Sequence, residues 1–365
     1  MREATSGPLA VQIVPNDHPP FGDLCTTYGR AFDSLGVSHH TIALAPPRRE
    51  ALPGFSYLEL DDVGRVRRAG RLLREALSGS EVVAICHRYR AYRVLRASGV
   101  NIPRVVAVAH EFGFFARRQR RIERRLFGRH VLFAGVSPAV QADLGITVED
   151  PLCLPNAVDV AEVDRARVGR EDALAALGVP ASGALTIGLV GRLVRKKAPG
   201  LALETLRVLA AQGLDVRLLV VGDGPLATDL AASADGLPVT FCGFVPEARR
   251  LMAAFDVLLL TSEEVEAFGM VALEAMCAGV PVVTGPIPGP QFVLAGSGYY
   301  FNVRTPEAVA AAVKQVVADR RAGLLAERLQ HARERAVREF SVAALARHLD
   351  ELFFHGIPAT SGSRQ

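Results

Sequence analysis

The chain has 365 residues, half of them hydrophobic and 22% charged, which is enough apolar material for two packed domains and excludes global disorder. A formal charge of +4 over this length does not by itself imply a nucleic-acid partner, and none is expected. The longest uncharged stretch, 275–303, holds four prolines and five glycines and cannot be a continuous membrane-spanning helix.

In chain order, apolar runs of strand length are expected at 10–14, 81–86, 104–109 and 131–136, with helical patterns at 24–35, 66–77 and 88–97. A charged, alanine-rich and then glycine-containing segment from Asp164 to Gly183 reads as a linker. Beyond it, strands are expected at 186–190, 216–221, 239–242, 257–261 and 281–284, and helices at 201–211, 246–255 and 270–277. After Thr305 the pattern is helical and charged. Continuous runs such as 218–221 and 257–260 suit strands buried on both faces, which need helical crossovers, so both halves read as parallel α/β sheets. The expected division is 1–168, 183–340 and a C-terminal helix and tail at 341–365 that can cross back to the first domain. Five scattered cysteines without a C-x-x-C argue against a disulfide framework or zinc site. The N-terminal residues show no signal-peptide core, so a cytoplasmic location is expected.

Ligands of parallel α/β domains gather beyond the carboxyl ends of the strands, and two such domains in series can enclose one in a cleft. Chemistry-bearing residues are therefore expected just after the strands. Gly191-Arg192-Leu193 is followed by Lys196-Lys197, two of only three lysines in the chain. Arg192 and Lys197 in a strand-to-helix loop suit a diphosphate, a planar fork beside a point charge; a solvated basic loop is the plainer reading. Val221-Gly222-Asp223-Gly224-Pro225 reads as a strand end and tight turn. Glu266 precedes the helix at 270–277 and Glu274 lies within it, eight residues on, about 12 Å if both were helical. That exceeds the spacing of a glycosidase pair, roughly 5–9.5 Å. It suits two carboxylates gripping an extended ligand, with phosphates at the helix start around Phe268, Gly269, Met270 and Val271. A helix cap for Glu266 and a surface position for Glu274 are the alternative. His110 follows the strand at 104–109 and is expected at a ligand-facing strand end or as a structural histidine. The loop 16–23 offers backbone approach at Gly22. Finally, from Phe114 to Arg129 the chain interleaves seven arginines with Phe114, Phe115, Ile122, Leu126 and Phe127, the pattern of an interfacial helix drawn to anionic lipid or of a solvated arginine face.

Glu266-Ala267-Phe268-Gly269 through Glu274-Ala275-Met276-Cys277-Ala278-Gly279-Val280-Pro281 resembles the E-x7-E signature of retaining GT-B glycosyltransferases of family GT4. Gly191-Arg192-Leu193 with Lys197, Val221-Gly222-Asp223-Gly224-Pro225, Gly243-Phe244-Val245 and Leu154-Pro155-Asn156-Ala157-Val158-Asp159 resemble the family's other landmarks, in the same order. The resemblance implies a GT-B fold of two Rossmann-like domains facing across a cleft, and a retaining transferase that moves a sugar from a nucleotide sugar (UDP-sugar favoured, GDP-sugar possible) to a glycan, glycolipid or small-molecule hydroxyl. By the same likeness Arg192 and Lys197 hold the donor diphosphate, Glu274 the ribose, Glu266 the transferred sugar and Gly243–Val245 the base. His110 lines the sugar side, and Gly22 stands where a glycine-rich loop approaches the reaction centre. No metal or other cofactor is implied, and no D-x-D motif is present. Gly22-Asp23 stands where paired glycines are usual, and Pro288-Gly289-Pro290-Gln291 where Gly-Gly-x-x-E is usual. A lipid-linked acceptor at the inner face of an anionic membrane is consistent with the arginine segment. A sugar-nucleotide epimerase, a glycosyl phosphorylase and a non-catalytic nucleotide-sugar-binding protein are the alternatives.

Overall fold

The computed structural model describes residues 9–18, 21–48, 50–58, 66–77, 82–128, 130–263 and 266–354. The chain divides into two compact units: Met1–Ala157 with Phe340–Gln365, and Val158–Glu339.

The first unit is built on strands β1 (Leu9–Val14), β2 (His39–Ala43), β3 (Phe55–Tyr57), β4 (Val82–His87), β5 (Arg104–Ala109), β6 (Val131–Gly135) and β7 (Leu152–Cys153). They form one parallel sheet in the order β3-β2-β1-β4-β5-β6-β7. Helices α1 (Phe21–Ser34), α2 (Val66–Leu77), α3 (Arg88–Ser98), α4 (Arg118–Phe127) and α5 (Pro138–Gly145) make the crossovers. Every residue of β4 is buried, and β5 is buried after its first residue, as strands covered on both faces require.

The second unit opens with helices α6 (Val160–Ala166) and α7 (Arg170–Ala176). Strands β8 (Leu185–Val190), β9 (Val216–Val221), β10 (Val239–Gly243), β11 (Val257–Leu260), β12 (Val282–Thr284) and β13 (Tyr299–Tyr300) pair in parallel in the order β10-β9-β8-β11-β12-β13. Helices α8 (Pro199–Ala211), α9 (Ala227–Ser233), α10 (Met270–Ala278), α11 (Pro288–Leu294), α12 (Pro306–Arg321) and α13 (Leu325–Phe340) complete it. Leu206 and Leu209 of α8, Val220 of β9, Leu259 of β11 and Val309, Val313 and Val316 of α12 share its core. The last helix, α14 (Val342–Phe353), belongs to the first unit, where it packs on α1. The Phe32 and Phe353 rings stand 6.5 Å apart, and the Arg104 guanidinium donates to the Phe353 carbonyl.

Three local expectations change. The segment from Asp164 to Gly183 is not a bare linker. It carries the end of α6 and all of α7, held down by buried Ala173, Leu174, Leu177 and Val179. Residues 158–168 accordingly fall in the second unit, not the first domain. The helix expected at 246–255 is instead a 3-10 turn, Ala248–Ala254, entered through Glu247 with a left-handed φ of 50°. Strands β2, β3, β7 and β13 had no counterpart in the expected elements.

Each sheet reverses its winding once, at β1/β4 in the first unit and at β8/β11 in the second. At such a switch point the two crossovers leave on opposite faces and open a crevice beyond the strand ends. Both sets of candidate residues sit there.

Candidate active site

In the second unit the loops after β8, β9 and β10 are laced together at glycines. The Gly191 N–H donates to the Val221 carbonyl at 2.9 Å and the Gly222 N–H to the Gly243 carbonyl at 2.7 Å. Gly222 has φ 143°, and a Cβ there would come within 1.9 Å of the Gly191 carbonyl oxygen, so only glycine fits. Leu193 N–H to Asp223 O, 2.9 Å, extends the lacing. The loop after β8 thereby has a fixed course, with Arg192 exposed and residues 195–197 in a 3-10 turn leading into α8.

That turn is also tied across the switch point to the loop after β11. Thr261 Oγ1 donates to the Lys197 carbonyl at 2.9 Å, and the Glu263 N–H to the Lys196 carbonyl at 2.8 Å. The Lys197 Nζ contacts Glu266 Oε1, and Ser262 Oγ donates to Glu266 Oε2 at 3.4 Å. Glu266 is fixed at its own backbone as well, because its carbonyl accepts from the Gly289 N–H at the start of α11. Thus the 288–291 segment, which departs from the usual family pattern, buttresses the Glu266 loop. Burial, with Lys196 alongside, pushes the Lys197 ammonium down to about 8. Lys197, Arg192, Gly191, Thr261 and Ser262 line one small recess of about 20 Å³.

Helix α10 begins at Met270 after Gly269, so Phe268, Gly269, Met270 and Val271 do mark its N-terminus. Glu266 lies before the helix and Glu274 inside it, so the 12 Å helical spacing does not apply to the pair. Glu274 is half-buried between fully buried Leu273 and Ala275. Gly243 ends the edge strand β10, with Phe244 55% exposed and Val245 half-buried beyond it.

In the first unit His110 follows β5 and is half-buried. Its Nε2 lies 3.0 Å from His87 Nδ1, and His87 Nε2 lies 3.2 Å from Gln12 Oε1. Burial foremost, then His87 and Arg88, holds His110 well below the usual histidine range. Arg88 has φ 73°, a left-handed conformation rare for a non-glycine residue. Its guanidinium sits 4.6 Å over the Phe21 ring and 3.6 Å from Glu111. Gln12, His87 and Arg88 carried no signal in the sequence beyond their places at or near strand ends. Gly22 was expected in an open loop. It is buried in the first turn of α1, where a Cβ would meet the Asp17 carbonyl oxygen at 2.7 Å. Protein backbone already occupies the approach that the sequence left to a ligand.

The arginine segment also resolves into parts. Phe114 and Phe115 are 3% and 5% exposed, packed edge-to-face with Tyr89 and Phe133, and so are not surface anchors. Arg120 is turned inward over the Tyr89 ring at 4.4 Å and donates to the Phe114 carbonyl. Glu123 meets the Tyr89 hydroxyl, Arg93 and Arg96. What faces out on α4 is Arg118, Arg121, Ile122, Arg125 and Leu126, a stripe at i, i+3, i+4, i+7, i+8. Arg129 and the Phe127 side chain lie outside the described residues. Among the described residues no helix is long and apolar enough to cross a membrane.

Residues 184–319 match the family Glycosyl transferases group 1. Over that segment the chain is similar to the group 1 glycosyltransferases. It is 35% identical over 172 residues to the 2-deoxystreptamine glucosyltransferase of Streptomyces kanamyceticus, covering 46% of this chain and 44% of that protein. It is 36% identical over 131 residues to the GDP-mannose-dependent alpha-(1-6)-phosphatidylinositol dimannoside mannosyltransferase of Mycobacterium tuberculosis, covering 35% and 34%. The chain thus spans less than half the length of these curated relatives. Among solved structures, a glycosyltransferase from Rickettsia africae superposes with TM-score 0.77 over 96% of this chain and all of that one, at 15% identity. Anabaena Alr3699/HepE in complex with UDP and glucose superposes with TM-score 0.76 over 94% and 99%, at 18% identity. These structural neighbours and the two parallel sheets identify the architecture as a GT-B fold of two Rossmann-like units.

Proposed function

We propose that the chain is a retaining, metal-independent glycosyltransferase that passes a sugar from a nucleotide sugar to an acceptor hydroxyl. The observation that carries this reading is the Lys197–Glu266 pair, fixed at the β8/β11 switch point beside Arg192 and the start of α10. Two cations and the helix N-terminus supply the positive field that a departing diphosphate needs. Glu266 reaches the same point from the other loop and suits the hydroxyls of the transferred sugar, while Glu274 suits the ribose. Transfer proceeds by same-face attack. The bond from the anomeric carbon to the phosphate oxygen breaks, the acceptor oxygen bonds to that carbon, and the acceptor proton passes to the departing phosphate.

UDP-sugar is the favoured donor, supported by the bound UDP of the Anabaena protein. GDP-sugar is the alternative, supported by the name of the mycobacterial relative. That same name, with the outward stripe on α4, supports a lipid-linked acceptor at an anionic membrane face, with the protein bound peripherally.

The test is release of nucleoside diphosphate from a panel of UDP- and GDP-sugars, in EDTA, with and without acceptor. Acceptor-dependent release with retained anomeric configuration is expected. Glu274→Ala should weaken nucleoside diphosphate binding, whereas Glu266→Ala should spare it and abolish transfer. Strict dependence on magnesium or manganese would overturn metal independence, and acceptor-independent interconversion of the sugars would replace the transferase by an epimerase.

A further inference from the structure

A cleft of about 380 Å³ opens in the second unit between α8, α9 and the loops that carry Glu263 and Arg304. From the switch point the path β8-α8-β9-α9-β10 winds one way and β11-α10-β12 the other. Right-handed crossovers therefore put α8 and α9 on the face opposite α10 and Glu274. The cleft shares one wall residue, Pro199, with the recess at Lys197. Its charges are spread along the helices. Arg195, Arg304 and Glu263 belong to loops beyond the carboxyl ends of β8, β13 and β11. Arg304 is anchored, because its guanidinium donates to the Thr261 and Ser262 carbonyls, and that fork has donors to spare. Glu204 and Asp229 lie on α8 and α9, Glu204 about 7.5 Å along the helix axis from Pro199. Leu201, Leu226 and Leu230 supply the apolar wall. Among the described residues no ion pair takes up Arg195, Glu204, Asp229 or Glu263. Gly200, in the first turn of α8, has open space where a Cβ would stand.

We propose that this cleft binds a small amino sugar phosphate, its phosphate on Arg195 and Arg304 and its ammonium and hydroxyls on Glu204 and Asp229. Guanidinium forks match the geometry of a phosphate. Two of them against three carboxylates leave the lining slightly acidic, which disfavours a bare phosphate and favours a ligand that also carries a cation. Carboxylates accept from ammonium and hydroxyl groups alike, and the leucines suit the C–H face of a sugar ring. The volume falls within the roughly 300–1,000 Å³ of small-molecule sites and admits one ring with its phosphate. The assignment does not rest on the transferase reading.

The experiment is calorimetric titration of the 365-residue chain with glucosamine 6-phosphate, glucose 6-phosphate and inorganic phosphate. Glucosamine 6-phosphate should bind with a Kd below about 1 mM, and the other two at least about tenfold more weakly. Gly200→Gln fills the open space at a helical position free of left-handed strain, and should abolish binding with the thermal midpoint preserved. Arg195→Gln should weaken both sugar phosphates alike, by about tenfold. Glu204→Gln together with Asp229→Asn should remove the preference for the amine. Saturating UDP or GDP should leave the titration in place. No binding of glucosamine 6-phosphate up to about 10 mM would overturn the inference. So would equally tight binding of inorganic phosphate, binding unaltered in Gly200→Gln, or displacement by UDP or GDP. A chain that binds glucosamine 6-phosphate as expected but transfers no sugar would instead defeat the proposed function and leave this site standing.

Discussion

Lys197 shows how one residue is tuned by its setting. Its 3-10 turn and the Glu266 loop bury the ammonium, and its pKa falls to about 8. A bound diphosphate holds the proton on, so the bound form titrates at higher pH than the free form. Nucleoside diphosphate affinity should therefore be flat below about pH 7 and fall as pH rises through 8, by up to about tenfold per unit. Calorimetry between roughly pH 6.5 and 9.5 in EDTA reads this directly. Lys197→Arg should flatten the profile, since a guanidinium stays charged throughout. A profile as steep in Lys197→Arg as in the parent chain would assign the titration elsewhere. The Gly191–Lys197 and Glu266–Glu274 motifs are each local and so stand out in the sequence, whereas the Lys197–Glu266 contact that joins them spans 69 residues. The His87–Gln12 contact spans 75 residues, and nothing near either position announces it.

Among the elements, α7 acts through a single carboxylate. Asp256, at the entry to β11, takes the Arg170 guanidinium at 2.8 Å, the Thr186 N–H at 2.9 Å and Arg320 at 2.8 Å. Burial alone would raise its pKa, but the Thr186 N–H and the two arginines together hold it below the usual value. Its stabilisation is present above pH 4 and is lost as pH falls through the lowered value. Asp256→Asn should lower stability by about 2 kcal/mol near neutrality, and the gap to the parent chain should close on acidification. Urea titrations at neutral and acid pH measure it, and a gap constant with pH would contradict the account. This tie also explains why 164–183 looked like a linker. Two short helices, docked by the ion pairs Arg170–Asp256, Arg249–Glu162 and Arg333–Asp164 and by a few apolar residues, leave little periodicity to detect. The strands β4, β5, β9 and β11 were legible because burial on both faces writes a continuous apolar run. The strand β2 begins with His39-His40-Thr41 and writes none. On α4 the arginines of the outward stripe should each add on the order of 1 kcal/mol at an anionic surface. Co-sedimentation with anionic but not neutral vesicles is expected, weakened by salt and by replacing Arg118, Arg121 and Arg125 with glutamine. Loss of Arg120 should act on packing over Tyr89 instead. No sedimentation with anionic vesicles at low salt would sink the membrane reading.

For the whole molecule, the decisive feature is that the chain leaves the first unit at Ala157 and rejoins it at Phe340. Helix α14 brings back Leu345, Leu349 and Phe353, each no more than 3% exposed. Deleting residues from Ser341 onward should uncover α1 and lower the denaturant midpoint of the first unit, with the second unit's transition unmoved. Hydrogen exchange resolved by peptide reports the two separately, and unchanged protection in α1 would refute the role given to α14. The same return has a consequence for synthesis. A ribosome finishes residues 158–339 while the first unit, begun earlier, still lacks its last helix. The usual order, in which the N-terminal domain folds first, is therefore reversed. The later-made sheet can close while the earlier one waits, with the α1 surface around Phe32 open, until residues 342–353 emerge.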